Sequence, residues 1–135
     1  MNVLLVGEDA ALLEGLAQSF AALGYVPRVV LSLHEAREGA LADPPLLAVV
    51  DGLLAAESSA DALAVQLSPG GALVLYHSNA DERPLIPPTL QRAVMADLAL
   101  PLERNRLIAL AQRVSERVRA TGRSRRQTPP EQEAF

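Results

Sequence analysis

The feature that most constrains this chain is the alternation of short apolar runs with stretches at helical spacing. Asn2 to Val6 is a short apolar run that stops at Gly7-Glu8-Asp9, and reads as a buried strand ended by a polar turn. Asp9 is placed to cap the next segment, where Leu13, Leu16, Ala17, Phe20 and Leu23 recur at helical spacing up to Gly24. A second strand is predicted over Pro27 to Leu31, with Val26, Val29 and Val30 β-branched. Ser32 is placed to cap a second helix through about Leu41, closed by Asp43-Pro44-Pro45. Leu46 to Val50 is unbroken by any polar residue and ends at Asp51-Gly52, which suits a strand buried on both faces. The spacing then predicts a helix over Ser59 to Leu67, a strand over Ala72 to Tyr76, and a long polar loop over 77–88. A short helix follows from about Thr89 to Val94, a weaker strand from Ala96 to Leu100, and a last helix from about Glu103 to Arg119. That last helix carries Leu107, Leu110, Ala111, Val114 and Val118 on one face, a stripe that belongs to a core before it belongs to an interface. Five strands alternating with five helices make an α/β fold with a doubly wound, five-stranded parallel sheet the natural architecture.

A chain of 135 residues fits one domain large enough to bury a core without staples. It has no cysteine, so disulfides, thiolate zinc sites and a cysteine nucleophile are excluded together. All twelve basic residues are arginine, which excludes a Schiff base or a phosphate-binding lysine. No apolar run reaches a membrane span of roughly 18–20 residues, and the first residues lack the basic stretch of a secretory signal. The expected location is cytoplasmic. Charge is uneven: residues 1–103 hold four Arg and thirteen acids, while residues 104–135 hold eight Arg and three acids. A solvated helix face followed by a disordered tail accounts for the basic end, ahead of an acidic partner. Nucleic acid is not expected, because neither a helix-turn-helix nor an aromatic platform is present.

In sheets of this kind, sites gather outside the carboxyl ends of the strands. The polar residues there are Gly7-Glu8-Asp9, Asp51, Ser78 and the Leu100-Pro101 step. Each also has a plain structural use. An aspartate before glycine forms turns, Glu8 and Asp9 favour a helix N-terminus, and Ser78 sits in a turn-like Ser-Asn-Ala-Asp. His34 and His77 lack partners at metal spacing and read as surface or sheet-edge residues.

Over about residues 2–119 the sequence resembles the receiver domain of bacterial response regulators. The resemblance rests on element order, the acidic turn after the first strand, the aspartate closing the third, a hydroxyl after the fourth and a proline after the fifth. It implies a flavodoxin-like sheet in the order 2-1-3-4-5, with Glu8, Asp9 and Asp51 clustered at one edge. It further implies that Asp51 matches the phospho-acceptor, Glu8 (with Asp9 as the substitute second acid) a magnesium ligand, and Ser78 the hydroxyl that binds phosphoryl oxygens. Three positions depart from the family: Gly7 stands where the first acid belongs, Leu100 replaces the lysine, and Asp97 falls where an aromatic switch would lie. The acceptor is therefore better kept than the readout, since phosphoryl transfer needs a metal and cations against spread charge. Arg83, in the loop after the fourth strand, is a candidate to reach inward, although a loop arginine before a proline is more often simply solvated.

The expectation is a degenerate, non-enzymatic receiver at 1–120 with a tail or linker at 121–135. It would bind a protein partner or a histidine kinase, or pair with itself through the fourth helix, fifth strand and fifth helix. There Arg104, Arg106, Arg113 and Arg117 would offer charge. Mg2+ binding would be weak, through Glu8 and Asp51. A working phospho-acceptor is the alternative. A small S-adenosylmethionine-binding enzyme, suggested by Leu-Ser-Pro-Gly-Gly-Ala-Leu-Val-Leu, comes last, because its glycine-rich turn after the first strand is missing.

Overall fold

The computed structural model of the chain describes residues 1–77 and 85–133, with side chains described as far as Thr121. Ser78 and Arg83 lie outside the described residues. Five parallel strands form one sheet: β1 (Asn2–Val6), β2 (Val26–Val30), β3 (Leu47–Asp51), β4 (Ala72–His77) and β5 (Val94–Ala99), in the order β2-β1-β3-β4-β5. The helices are α1 (Ala10–Ala22), α2 (Leu33–Ala42), α3 (Gly52–Glu57), α4 (Ser59–Leu63), α5 (Pro88–Ala93) and α6 (Arg104–Glu133). Among the described residues, no helix is long and apolar enough to cross a membrane.

Two helix starts follow directly from the sequence. Asp9 accepts the Leu12 N–H at 3.1 Å and opens α1; Ser32 accepts the Glu35 N–H at 3.2 Å and opens α2. Strand alternation then divides the core in two. Val3, Leu5, Leu47, Val49, Val74 and Tyr76 pack with Leu13, Leu16 and Phe20 of α1 and with Leu107, Ala111 and Val114 of α6. Leu4, Val6, Ala48, Val50, Leu73 and Leu75 pack on the opposite face with α2, α3, α4 and α5. The middle strands β1, β3 and β4 are covered on both sides, which is why their sequences show no polar alternation.

Three elements differ from the sequence expectation. The helix expected over Ser59 to Leu67 is the shorter α4, and an additional helix, α3, precedes it, because Asp51 caps a helix that begins at Gly52 rather than closing a turn. β5 starts at Val94, aided by a register shift opposite Leu73 and Val74. The backbone of α6 continues to Glu133, past the expected stop near Arg119 and through the segment read from sequence as disordered. A glycine inside a helix costs only about 1 kcal/mol relative to alanine, so Gly122 is a weak terminator.

Candidate functional site

The carboxyl ends of β1 and β3 bring the acids together at the place the topology reserves for a site. Gly7 follows β1, Asp51 ends β3, and Tyr76 lies opposite Asp51 in the β3–β4 register. The period-two alternation puts all three on the face that carries α1 and α6, since Leu5, Val49 and Val74 point there. β4 is two strands away from β1, a separation of about 10 Å at the usual inter-strand spacing. The Tyr76 side chain spans that gap. A Cβ built on Gly7 would overlap the Tyr76 hydroxyl oxygen, stand 3.1 Å from its Cζ, and lie 3.5 Å from the Asp51 Cβ.

Tyr76 is 2% exposed, and its hydroxyl is the buried side-chain polar atom without a hydrogen-bond partner among the described residues. Burial, then the charges of Asp51, Asp9 and Glu8, push its pKa far above the ordinary tyrosine value, so the phenol stays protonated. The phenol therefore sits among the carboxylates as a neutral group. Sequence reasoning did not find this residue. Its signal was indirect: a glycine where an apolar run should end in a side chain, and a large aromatic in the most buried strand.

The acids are committed locally. Asp51 is half-buried, and its Oδ1 accepts the Leu53 N–H at 2.9 Å to cap α3. Desolvation raises its pKa; the Leu53 hydrogen bond opposes this, and the charges of Glu8 and Glu57 add to the rise. Asp9 spends one oxygen on the α1 cap. None of Glu8, Asp9 and Asp51 has an ion-pair partner among the described residues. Leu100, in the place of the lysine, is 1% exposed and packed in the same core as Tyr76 and Leu107. Nothing from β5 brings a cation to the pocket.

These residues do not fit a magnesium ion as they stand. Magnesium demands a near-octahedral set of oxygens at about 2.0–2.1 Å, most of them usually water and substrate. Here two carboxylates are tied to helix starts and a phenol fills the space beside Gly7. Among the described residues, no group of three or more His, Asp or Glu side chains could hold a metal ion. Glu8, Asp9 and Asp51 lie close enough for their charges to act on the Tyr76 phenol, without forming such a group.

The histidines separate. His34 is exposed and lies 3.0 Å from Glu38 on α2, as a surface residue. His77, read as a surface or sheet-edge residue, is 6% exposed, with Nδ1 2.9 Å from Oδ1 of Asp97. It belongs to β4, which is covered on both faces, and its Asp97 partner stands on the neighbouring strand at the expected switch position. The arginines of α6 separate as well. Arg117 donates to the carbonyls of Gly70 and Gly71 at 2.7 and 3.2 Å, and Arg106 pairs with Glu103 at 2.6 Å. Arg104 and Arg113 have no ion-pair partner among the described residues.

A doubly wound parallel sheet in this order, with acids at the ends of β1 and β3, is the architecture of response-regulator receiver domains. Solved structures bear this out. The N-terminal domain of a response regulator/sensory box/GGDEF three-domain protein from Carboxydothermus hydrogenoformans superimposes with a TM-score of 0.71 at 14% identity, covering 90% of this chain and 98% of that one. A CheY-like receiver domain from Methanospirillum hungatei gives 0.63 at 18% identity, over 88% of this chain and 97% of that one. The response regulator TrrA from Thermotoga maritima, solved with Mg2+ and BeF, gives 0.62 at 13% identity over 84% and 97%. The chain has the receiver fold. No protein-family model matches the sequence, and no curated protein matches it.

Proposed function

We propose that the chain is a degenerate receiver that acts in signal transduction as a protein-interaction module, with phosphorylation at Asp51 absent or atypical. The observation that carries this reading is the chemistry gathered at the carboxyl ends of β1 and β3. Three carboxylates and a neutral phenol stand where phosphoryl chemistry needs cations, and the lysine position is an apolar core residue. A receiver's switch depends on the differential affinity of its ligand for two states, and a nearly complete switch takes about 5.5 kcal/mol. With Leu100 in the place of the lysine and Asp97 in the place of the aromatic, Glu8, Ser78 and a weakly held metal ion supply only part of that.

The interaction surface in this reading is the side of the molecule formed by α5, the edge strand β5 and α6. An open groove there is lined by Met95, Leu110 and Val114 with Arg106 and Arg113. Arg113, unpaired among the described residues, is the residue of that groove best placed to meet an acidic partner, in a second copy or another protein. A working phospho-acceptor is the second reading. It is favoured by Asp51 retaining its place at the end of β3 beside Glu8.

The test is titration of the protein with Mg2+ and beryllium fluoride, followed by nuclear magnetic resonance and size-exclusion chromatography. The expected result is no saturable shift at Asp51 or in α5, and an elution volume that Asp51→Asn leaves unchanged. Saturable shifts abolished by Asp51→Asn, accompanied by dimerisation, establish the phospho-acceptor instead.

A further inference from the structure

We propose that Tyr76 and Gly7 form a coupled pair that sets what the acid pocket admits: the phenol occupies the volume beside β1 that an acid at position 7 and its cation would require. This deepens the degenerate-receiver reading and rests on it for its functional meaning, but the packing claim stands on geometry alone. The Tyr76 ring lies across β3, and the atom it brings against Gly7 is the hydroxyl oxygen rather than a ring carbon. Any side chain at position 7 meets that oxygen at its first carbon. The pocket therefore cannot regain a metal-bearing acid by one substitution after β1. It is closed from the β4 side.

The arrangement carries a costly feature. A buried hydroxyl without a partner is unfavourable, and no neighbouring backbone group satisfies this one among the described residues. Gly7 is the concession on the other side: its missing side chain makes room for the phenol.

The claim predicts a specific non-additivity between two positions that are distant in sequence. Gly7→Ala in the otherwise unchanged protein should lower Tm by roughly 5–10 °C, through overlap that the core cannot absorb. In the Tyr76→Phe background, which removes only the hydroxyl oxygen, the same substitution should cost less than half as much. Both single variants are conservative enough to fold, so the comparison can be read from four thermal melts. The second arm pairs Gly7→Asp with Tyr76→Thr and titrates the protein with Mg2+ alone. Saturable shifts at Asp51, absent from the unsubstituted protein and from Gly7→Asp alone, are the expected result. Equal losses for Gly7→Ala in both backgrounds overturn the coupling, whatever becomes of the signalling reading. Saturable Mg2+ binding by the unsubstituted protein overturns the exclusion itself. Beryllium fluoride shifts in the unsubstituted protein overturn the signalling reading, and leave the outcome of the four melts as it stands.

Discussion

Asp51 serves two demands at once, and its titration exposes the conflict between them. Its carboxylate caps α3 through the Leu53 N–H, which favours the charged form, while burial and the charges of Glu8 and Glu57 disfavour it, with burial the largest effect. The folded state therefore holds the proton more tightly than the unfolded chain. Stability associated with this group is fully present at low pH and is lost as pH rises from its ordinary value of 3.8 through the raised folded value. Asparagine caps helices about as well as aspartate and cannot ionise. Asp51→Asn is accordingly expected to raise Tm at pH 7, with the gain shrinking to nothing below about pH 4. Thermal melts across that range check it, and a loss at pH 7 would mean the charge is held by a partner group.

Elements are joined here by single side chains that reach backbone carbonyls and amides. Gly70 adopts φ +87° in the turn that enters β4, and the Arg117 guanidinium of α6 donates to its carbonyl and to that of Gly71. That fixes the middle of α6 against the start of β4. Just before the N-terminus of α6, Glu103 Oε1 accepts the Ala99 N–H at 2.8 Å as the chain leaves β5, and Oε2 accepts from Arg106. The Ala99 hydrogen bond and the Arg106 interaction hold the Glu103 pKa below its ordinary value. The two arginines should behave differently on removal. Arg117→Ala loses two charge-assisted hydrogen bonds to backbone and is expected to cost about 1–2 kcal/mol. Arg106→Ala loses an exposed pair three residues apart, screened by solvent, and should cost clearly less. Urea unfolding of both variants measures the contrast, and equal costs would show that the Gly70–Gly71 anchor contributes nothing beyond surface charge.

For the whole molecule, burial is graded from the centre of the sheet to its edges. The first four residues of β3 and all six of β4 are buried, whereas β2 and β5 each bury a single residue. Local opening follows burial and hydrogen bonding, with the least exposed strands exchanging amide protons only on global unfolding. Hydrogen exchange is expected to be slowest for Ala48 to Val50 and Val74 to Tyr76, and measurably faster along β2 and β5. Protection of β5 equal to that of β3 would mean that its edge is covered by a second molecule. The free edge of β5 adjoins the groove against α6, so that outcome would locate the partner as well.

How much of this was legible in advance differs by the range of the interaction. Helix caps at Asp9 and Ser32, the strand runs and the α6 stripe are local patterns, because periods of 2.0 and 3.6 residues are written into neighbouring residues. The alternation of those elements, with short connections and right-handed crossovers, then narrows the sheet to a few topologies, and the observed order is the one expected. The acids at the ends of β1 and β3 were legible too, since strand ends can be read from the runs themselves. What they do together was not. Asp51-Gly52 reads locally as a turn, and only the packing of Ala55 against the sheet makes it a helix start. His77 reads as an edge residue until β5 supplies Asp97 beside it. The meeting of Gly7 with Tyr76 leaves no trace in either neighbourhood, because it is a steric fit between strands separated by β3. Sequence determined which elements form and in what order they lie; tertiary structure alone decided which side chain fills the pocket, since volume is shared across strands and periodicity is not.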